Sequence, residues 1–397
     1  MNLQCIHCAG KGLCGRPFCP LQKKISSQKK INKVFKKDFF GSAPNVFVGR
    51  VGYPKVNVGV LSNEDVREEH DNPQMWSSKN YQIPKLIDLR SSLVNSRFRM
   101  DIKDFDDKLL EMTKEVSQTP EKVDVEINLN KKPRFRLSYN QQAAPFGPSV
   151  RLKKAEITEN PKIPRQVDKV VSEDDWKAVD AMDYLYKKGY GEHFLTKLIS
   201  VGNIGVKENR KLVPTRWSIT ATDDILGKKL ISEIKDYQKY DYTANFGSYL
   251  GNHYLILFFP EIWSYELFET LTENGESATD FEGYEGRKNY ASNTVGGYYA
   301  ARLGILEHLK NRKRQASVLC LRFITNDYWA PLGVWVVRQA TRKALESKPL
   351  EFSSMDLMIK YAKLFVKKKF DFDLDNLLRR SVLIKEIKEQ KKLDQFI

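Results

Sequence analysis

Apolar residues recur along this chain in short bursts, and the period of the bursts changes from place to place. Val46–Val48 and Val56–Val60 are β-rich pieces on either side of a Gly/Pro segment, a pattern that predicts a tight strand pair. The following region, residues 64–131, is polar and helical in pattern, with one helix expected over 101–115. Within it Val123–Leu129 alternates apolar and polar, the period of a half-buried strand. Arg134–Tyr139 reads as a basic and aromatic strand, and Ala143–Pro148 and Asn160–Pro164 as turns or loops. Over 174–188 Trp176, Val179, Met182 and Leu185 share one helical face. A further helix is expected over 225–240, and buried strands over Tyr254–Pro260 and Gly333–Val337. Glycines in Val295–Arg302 permit close helix packing, and Tyr290, Tyr298 and Tyr299 read as stacking platforms or as core. The fold class that follows is α+β: a mixed sheet with many helices, plus a small N-terminal zinc-binding module and a flexible C-terminal tail.

The zinc module rests on cysteine spacing. Of five cysteines, four fall at Cys5, Cys8, Cys14 and Cys19, and Cys320 stands alone in an apolar run that reads as core. Thiolates this close repel one another unless a soft cation lies among them, and Zn2+ accepts four in a tetrahedron. Gly10, Gly12 and Gly15 supply the sharp turns such a short loop needs. The spacing lacks the usual second Cys-x2-Cys, so an iron–sulfur cluster, disulfides or unligated thiols stay open beside structural zinc. Residues 23–37 carry seven lysines interrupted by Ile25, Ile31, Val34 and Phe35, as in an amphipathic helix.

Charge changes the picture of partners. The 397 residues hold 66 Lys and Arg against 50 Asp and Glu, a formal net charge of +16. Such a surplus fits a phosphate-rich partner, or else a lysine-rich surface adapted to heat. No apolar run is long enough to span a bilayer and the start has no signal-peptide pattern, so a cytoplasmic protein without a membrane partner is expected.

Three segments carry candidate chemistry. Around the predicted strand pair, Arg50 and Lys55 lie among Gly49, Gly52 and Gly59, a composition that suits either phosphate binding or a purely structural hairpin. The densest cluster is Arg210–Asp224. There Arg210, Lys211 and Arg216 can grip phosphates and Trp217 can stack on a base. Asp223 and Asp224 can hold Mg2+, act as an acid–base pair, or simply cap the helix expected after them. His253 opens a buried strand and reads first as a core residue, with catalysis as the alternative.

The final eight residues are Gln390-Lys-Lys-Leu-Asp-Gln-Phe-Ile397. In one short helical turn Leu393, Phe396 and Ile397 converge into a plug, with Gln390 beside it for a polar pocket. Each apolar group brings roughly 1.5–3 kcal/mol when fully buried. The alternative is the end of an amphipathic helix packed on its own body. Against it stand the extreme terminal position and the charged run before it, Lys385–Lys392.

This tail resembles the peptide by which many replication and repair proteins bind the ring-shaped sliding clamp (PCNA), with isoleucine where a second aromatic is usual. The body resembles the archaeal Nre family of DNA-repair proteins. The resemblance lies in Val46-Phe-Val-Gly-Arg50 with Gly52–Gly59, Arg210–Ala221, Val295–Arg302 and Pro331–Arg338. It implies a repair role with the clamp as partner, and a division into a large N-terminal and a smaller C-terminal region. The expected layout is residues 1–24 for the zinc module, 25–280 and 281–385 for the two regions, and 386–397 for the clamp-binding tail. Three functions stay open: a clamp-tethered DNA-binding factor, a clamp-tethered phosphodiesterase or hydrolase acting on damaged DNA or nucleotides, and a scaffold linking the clamp to other proteins.

Overall fold

A computed structural model describes residues 35–134 and 147–389. The zinc-module cysteines, most of the lysine-rich stretch, the strand expected at 134–139 and the terminal eight residues lie outside this description. The chain divides into two compact units, residues 1–225 with 329–332 and residues 226–328 with 333–397.

The first unit is built on a closed barrel of five strands: β1 (Asp38–Val48), β2 (Lys55–Asn63), β3 (Val94–Asp101), β4 (Val123–Leu129) and β5 (Ser149–Ile157). Their order around the barrel is β1-β2-β3-β5-β4, and only the β3–β5 pair is parallel. Alternation decides which side chains fill it. Val56, Val58 and Val60 of β2 meet Phe98 and Met100 of β3 and Val123, Val125 and Ile127 of β4 in one core. Gly59 is needed for closure, because a Cβ there would stand 2.0 Å from the Ser96 carbonyl oxygen of the neighbouring strand.

Short helices α1 (Pro73–Ser78) and α2 (Ile83–Ser92) are inserted between β2 and β3. Helix α3 (Lys108–Ser117) lies between β3 and β4 and packs Leu110 and Val116 into the barrel core. Asp107 starts it by accepting from the Leu109 and Leu110 amides, so the helix begins later than the 101–115 pattern suggested. A five-stranded barrel in this order, with a helix between the third and fourth strands, has the connectivity of an OB-type barrel. Helices α4 (Arg165–Ser172), α5 (Ala178–Lys187) and α6 (Glu192–Ser200) follow, and then α7 (Thr215–Ile234), within which the two units divide.

The second unit holds a six-stranded mixed sheet. A minor pair joins β6 (Gln238–Lys239) to β11 (Arg314–Gln315) beside it. The sheet consists of β7 (Thr243–Tyr249), β8 (Asn252–Phe259), β9 (Ser264–Leu271), β10 (Ser277–Glu282), β12 (Ser317–Ile324) and β13 (Leu350–Glu351), in the order β10-β9-β12-β8-β7-β13. Helices α8 (Val295–Arg312) and α9 (Trp335–Glu346) pack on each other. Tyr298 of α8 meets Tyr265 of β9 at 4.9 Å between ring centres. On the opposite face α10 (Met355–Phe370), α11 (Asp375–Leu378) and α12 (Val382–Glu389) cover Leu255, Leu257, Phe268 and Phe323.

The α+β class with mixed sheets is therefore present, with twelve α-helices among the described residues. Two assignments need correction. The apolar run Gly333–Val337 is not a strand but the entry to α9; a run of five apolar residues does not distinguish the two states. The helix expected over 225–240 begins at Thr215 and ends at Ile234. No helix among the described residues is long and apolar enough to cross a membrane.

Candidate nucleic-acid interface

Alternation that sends valines into the barrel sends cations out of it. On β3 the inward Phe98 is flanked by Arg97 and Arg99, and on β5 the inward Val150 and Leu152 are flanked by Arg151 and Lys153. Strand pairing places Arg97 beside Arg151 on one side and Gly59 on the other, and Arg99 beside Asn57 of β2. Lys55, paired with Asp101, starts the β2 edge of this surface. Arg97 is half-buried, and burial alone lowers its pKa, with no carboxylate opposing the shift. A guanidinium partly withdrawn from water, with no carboxylate partner among the described residues, can donate charge-assisted hydrogen bonds to an anion.

The loop from Gly49 to Pro54 closes β1 onto β2 at the end of this face. It is pinned by Gly49 N–H to the Asn57 carbonyl at 2.7 Å and by Lys55 N–H to the Gly52 carbonyl at 2.9 Å. Gly52 has φ +87°, which a side chain would strain, and a Cβ there would stand 3.0 Å from an Arg99 guanidinium nitrogen. The loop is thus contiguous with the basic face. Helix α7 begins beside it: the Val48 amide donates to the Thr215 hydroxyl at 2.9 Å. This brings Trp217 to 5.2 Å from Tyr53, ring centre to ring centre. Arg50, Lys55, Arg216 and Trp217, singled out from the sequence, therefore belong to neighbouring parts of one unit, all exposed. Lys211 is also exposed, on the segment leading into α7.

Other predicted residues have different surroundings. Arg210 donates to the carbonyls of Gly205, Val171 and Glu173, so its guanidinium is already committed to backbone. Asp223 is fully buried and Asp224 half-buried, both inside α7 rather than ahead of it, so neither caps that helix. His253 belongs to the second unit, on β8, where it packs against Phe246 and Phe370. Burial lowers its pKa, with Lys369 adding to the effect. Among the described residues no group of three or more His, Cys, Asp or Glu is gathered in a way that would hold a metal ion.

The family description "Archaeal Nre, N-terminal" matches residues 13–275, and "Archaeal Nre, C-terminal" matches residues 282–396. The chain belongs to the archaeal Nre family. Among relatives, the "DNA repair protein NreA" of Archaeoglobus fulgidus is 40% identical over 368 residues, covering 90% of this chain and 92% of the relative. The "DNA repair protein NreB" of the same organism is 36% identical over 396 residues, 96% and 97% of the two chains. The Haloferax volcanii "DNA repair protein NreA" is 37% identical over 327 residues, 78% of each. No solved structure matches the chain.

The two Nre regions and the two compact units divide at different places. Strands β7 to β9 belong to the N-terminal Nre region, yet they form one sheet with β12 and β13 of the C-terminal region. Both regions of this chain therefore contribute strands to the second unit. The basic residues Arg97, Arg99, Arg151 and Lys153 were not among the sequence candidates. Their signal was available: Val94, Ser96, Phe98 and Met100 alternate with them at period two, as do Val150 and Leu152.

A second group of charges in the first unit is structural in character. The side chain of Asp71 is fully buried and holds Arg90 of α2, Asn45 of β1 and, at 2.9 Å, Nε2 of His193 of α6. Burial would raise its carboxyl, but His193 and Arg90 beside it, with the His193 and Asn45 hydrogen bonds, hold it well below the usual carboxylate range. Lys197, one turn further along α6, donates to the Thr119 carbonyl at 2.7 Å, and burial pushes its ammonium down to about 8. These contacts tie the β2–β3 insertion and α6 to the barrel wall.

Proposed function

We propose that this Nre chain is a DNA-repair factor that grips DNA on the outward basic face of its barrel and is carried to its site of action by the sliding clamp. The repair role follows the relatives' names. The observation that carries the DNA reading is the row Arg99, Arg97 and Arg151 on adjacent strands, none engaged by a carboxylate among the described residues. Lys55, Lys153, Arg50 and Arg216 extend the same charge at either end. Phosphates supply the anions such a row lacks, and their binding releases condensed counterions. The clamp reading rests on Gln390, Leu393, Phe396 and Ile397, and the four N-terminal cysteines suit a structural zinc that steadies the chain ahead of the barrel.

Titration of labelled DNA with the full chain at increasing salt tests the first half. Arg97→Ala combined with Arg151→Ala removes two phosphate contacts, so the slope of log affinity against log salt becomes shallower by roughly 1.4–1.8. Unchanged affinity and slope would place the DNA site elsewhere.

A further inference from the structure

The exposed surface at the end of the basic face is not only charged. Val51 is 79% exposed, Tyr53 43% and Trp217 45%. Large apolar groups left in water next to one another mark a surface that something covers. Tyr53 comes from the β1–β2 loop and Trp217 from the first turn of α7. Their rings lie 5.2 Å apart and inclined at 58°. Both supports are fixed: the loop by its two backbone hydrogen bonds, and the helix start by the Val48 amide on the Thr215 hydroxyl. The pair is thus held in place by backbone, which lowers the entropy lost when a ligand covers it.

The chemistry of the ligand follows from what surrounds the pair. Arg99 reaches Gly52, the residue before Tyr53, Arg216 directly precedes Trp217, and Arg50 stands three residues before Tyr53 in the same loop. A ligand that covers aromatic faces while offering anions at the spacing of a barrel strand pair is a nucleic-acid strand. In a duplex the base faces are occupied by their neighbours, and only edges and phosphates are presented. An unpaired base has a free face, and stacking on an aromatic side chain contributes about 1–3 kcal/mol per base. We infer that Tyr53 and Trp217 form a stacking subsite for an unpaired base, and that the strand crossing Arg99, Arg97 and Arg151 is single-stranded. This deepens the DNA-binding reading above and rests on it.

The experiment compares an unpaired oligothymidine of about 15 nucleotides with a duplex of the same length, using the full chain. Trp217→Ala and Tyr53→Ala are each expected to weaken oligothymidine binding about tenfold while leaving the salt slope and duplex binding unchanged. Trp217→Phe restores most of the loss, which separates stacking from damage to the fold, and thermal melting of each variant checks the same point. Equal losses on both DNA forms, or none, would overturn the subsite while leaving the basic face intact. Wild-type protein that binds neither form would overturn the DNA-binding reading itself. Weakened clamp binding in the aromatic variants, with oligothymidine binding intact, would assign the pair to a protein contact instead.

Discussion

Oε2 of Glu266 lies 3.1 Å from the amide nitrogen of Leu383. The same carboxylate accepts from the Ser381 hydroxyl and from the Val382 amide at 3.1 Å, so a buried acid on β9 caps the N-terminus of α12. That helix leads directly into the terminal peptide at Gln390. Glu266→Ala leaves three donors at one helix start without their acceptor and should cost about 2–3 kcal/mol of stability, read by urea unfolding. Burial raises this carboxyl, partly opposed by the bonds from Ser381, Leu383, Val382 and Thr279. A folded pKa above the ordinary 4.5 makes its contribution most favourable below that pH, declining as pH rises through the folded value. Glu266→Gln should remove this decline, and an unchanged pH profile would show that another group sets it.

Asp71 has the opposite sign. Its folded pKa lies well below the ordinary 3.8, so its stabilisation is present above that pH and is lost as pH falls below it. Asp71→Asn leaves Arg90 and His193 facing a neutral amide in a buried site. A loss of roughly 3–5 kcal/mol at pH 7 is expected, as for other broken buried pairs, with little difference from wild type at strongly acid pH. Unfolding curves at both ends of the range decide the matter; an equal deficit at each would mean the variant fails by packing rather than by charge.

Arg210 and Arg216 looked alike in the sequence and are separated by the structure. Arg210→Ala abandons the carbonyls of Gly205, Val171 and Glu173 and should lower stability by about 2–3 kcal/mol. Arg216→Ala should leave thermal stability unchanged and make the salt slope of DNA binding shallower by roughly one unit. The reverse assignment would require Arg210 to leave its carbonyls on binding.

How much of this was legible depends on how local the signal was. β4 was predicted at its observed bounds because Val123, Val125 and Ile127 alternate with charged residues. The β1–β2 pair was found, but β1 extends back to Asp38, where Phe39 and Ala43 face inward through an irregular stretch of the register. β3 and β5 were missed, since their outward arginines and lysines lend the segments the polar look of helix surface. Closure of the barrel depends on the parallel β3–β5 pairing, which joins residues far apart in sequence and leaves no local trace. The candidate surface is therefore half-legible: the sequence singles out Arg50, Lys55, Arg216 and Trp217, but not Tyr53, Arg97, Arg99 or Arg151.

The cysteine module gives a separate prediction. If Cys5, Cys8, Cys14 and Cys19 close one tetrahedral site, metal analysis of purified protein should return about one zinc per chain. Cys8→Ser combined with Cys14→Ser should abolish it. Because all four positions would be filled by thiolates, zinc removal should lower stability without supplying or removing a reactive water. A native protein free of zinc would remove the module from the proposal.

The clamp tail should behave as a separable peptide. Leu393, Phe396 and Ile397 have the spacing of a helical plug for an apolar pocket, and ordering a terminus to form it costs entropy, so affinity should be moderate. Lys385, Lys388, Lys391 and Lys392 should speed encounter with an acidic clamp surface, and added salt should weaken it. Deleting the last eight residues, Gln390–Ile397, should abolish clamp binding without a change in melting temperature, since Ile384 and Ile387, which pack on the core of the second unit, lie ahead of the deleted segment. Phe396→Ala removes the largest group of the plug and should do nearly as much. Glu266→Ala provides the contrast: it loosens α12 but leaves the peptide's own side chains intact, so clamp affinity should change little while stability falls. Titration calorimetry against the clamp with all three proteins separates the cases. Undiminished binding by the truncated chain would identify the tail as an ordinary helix end.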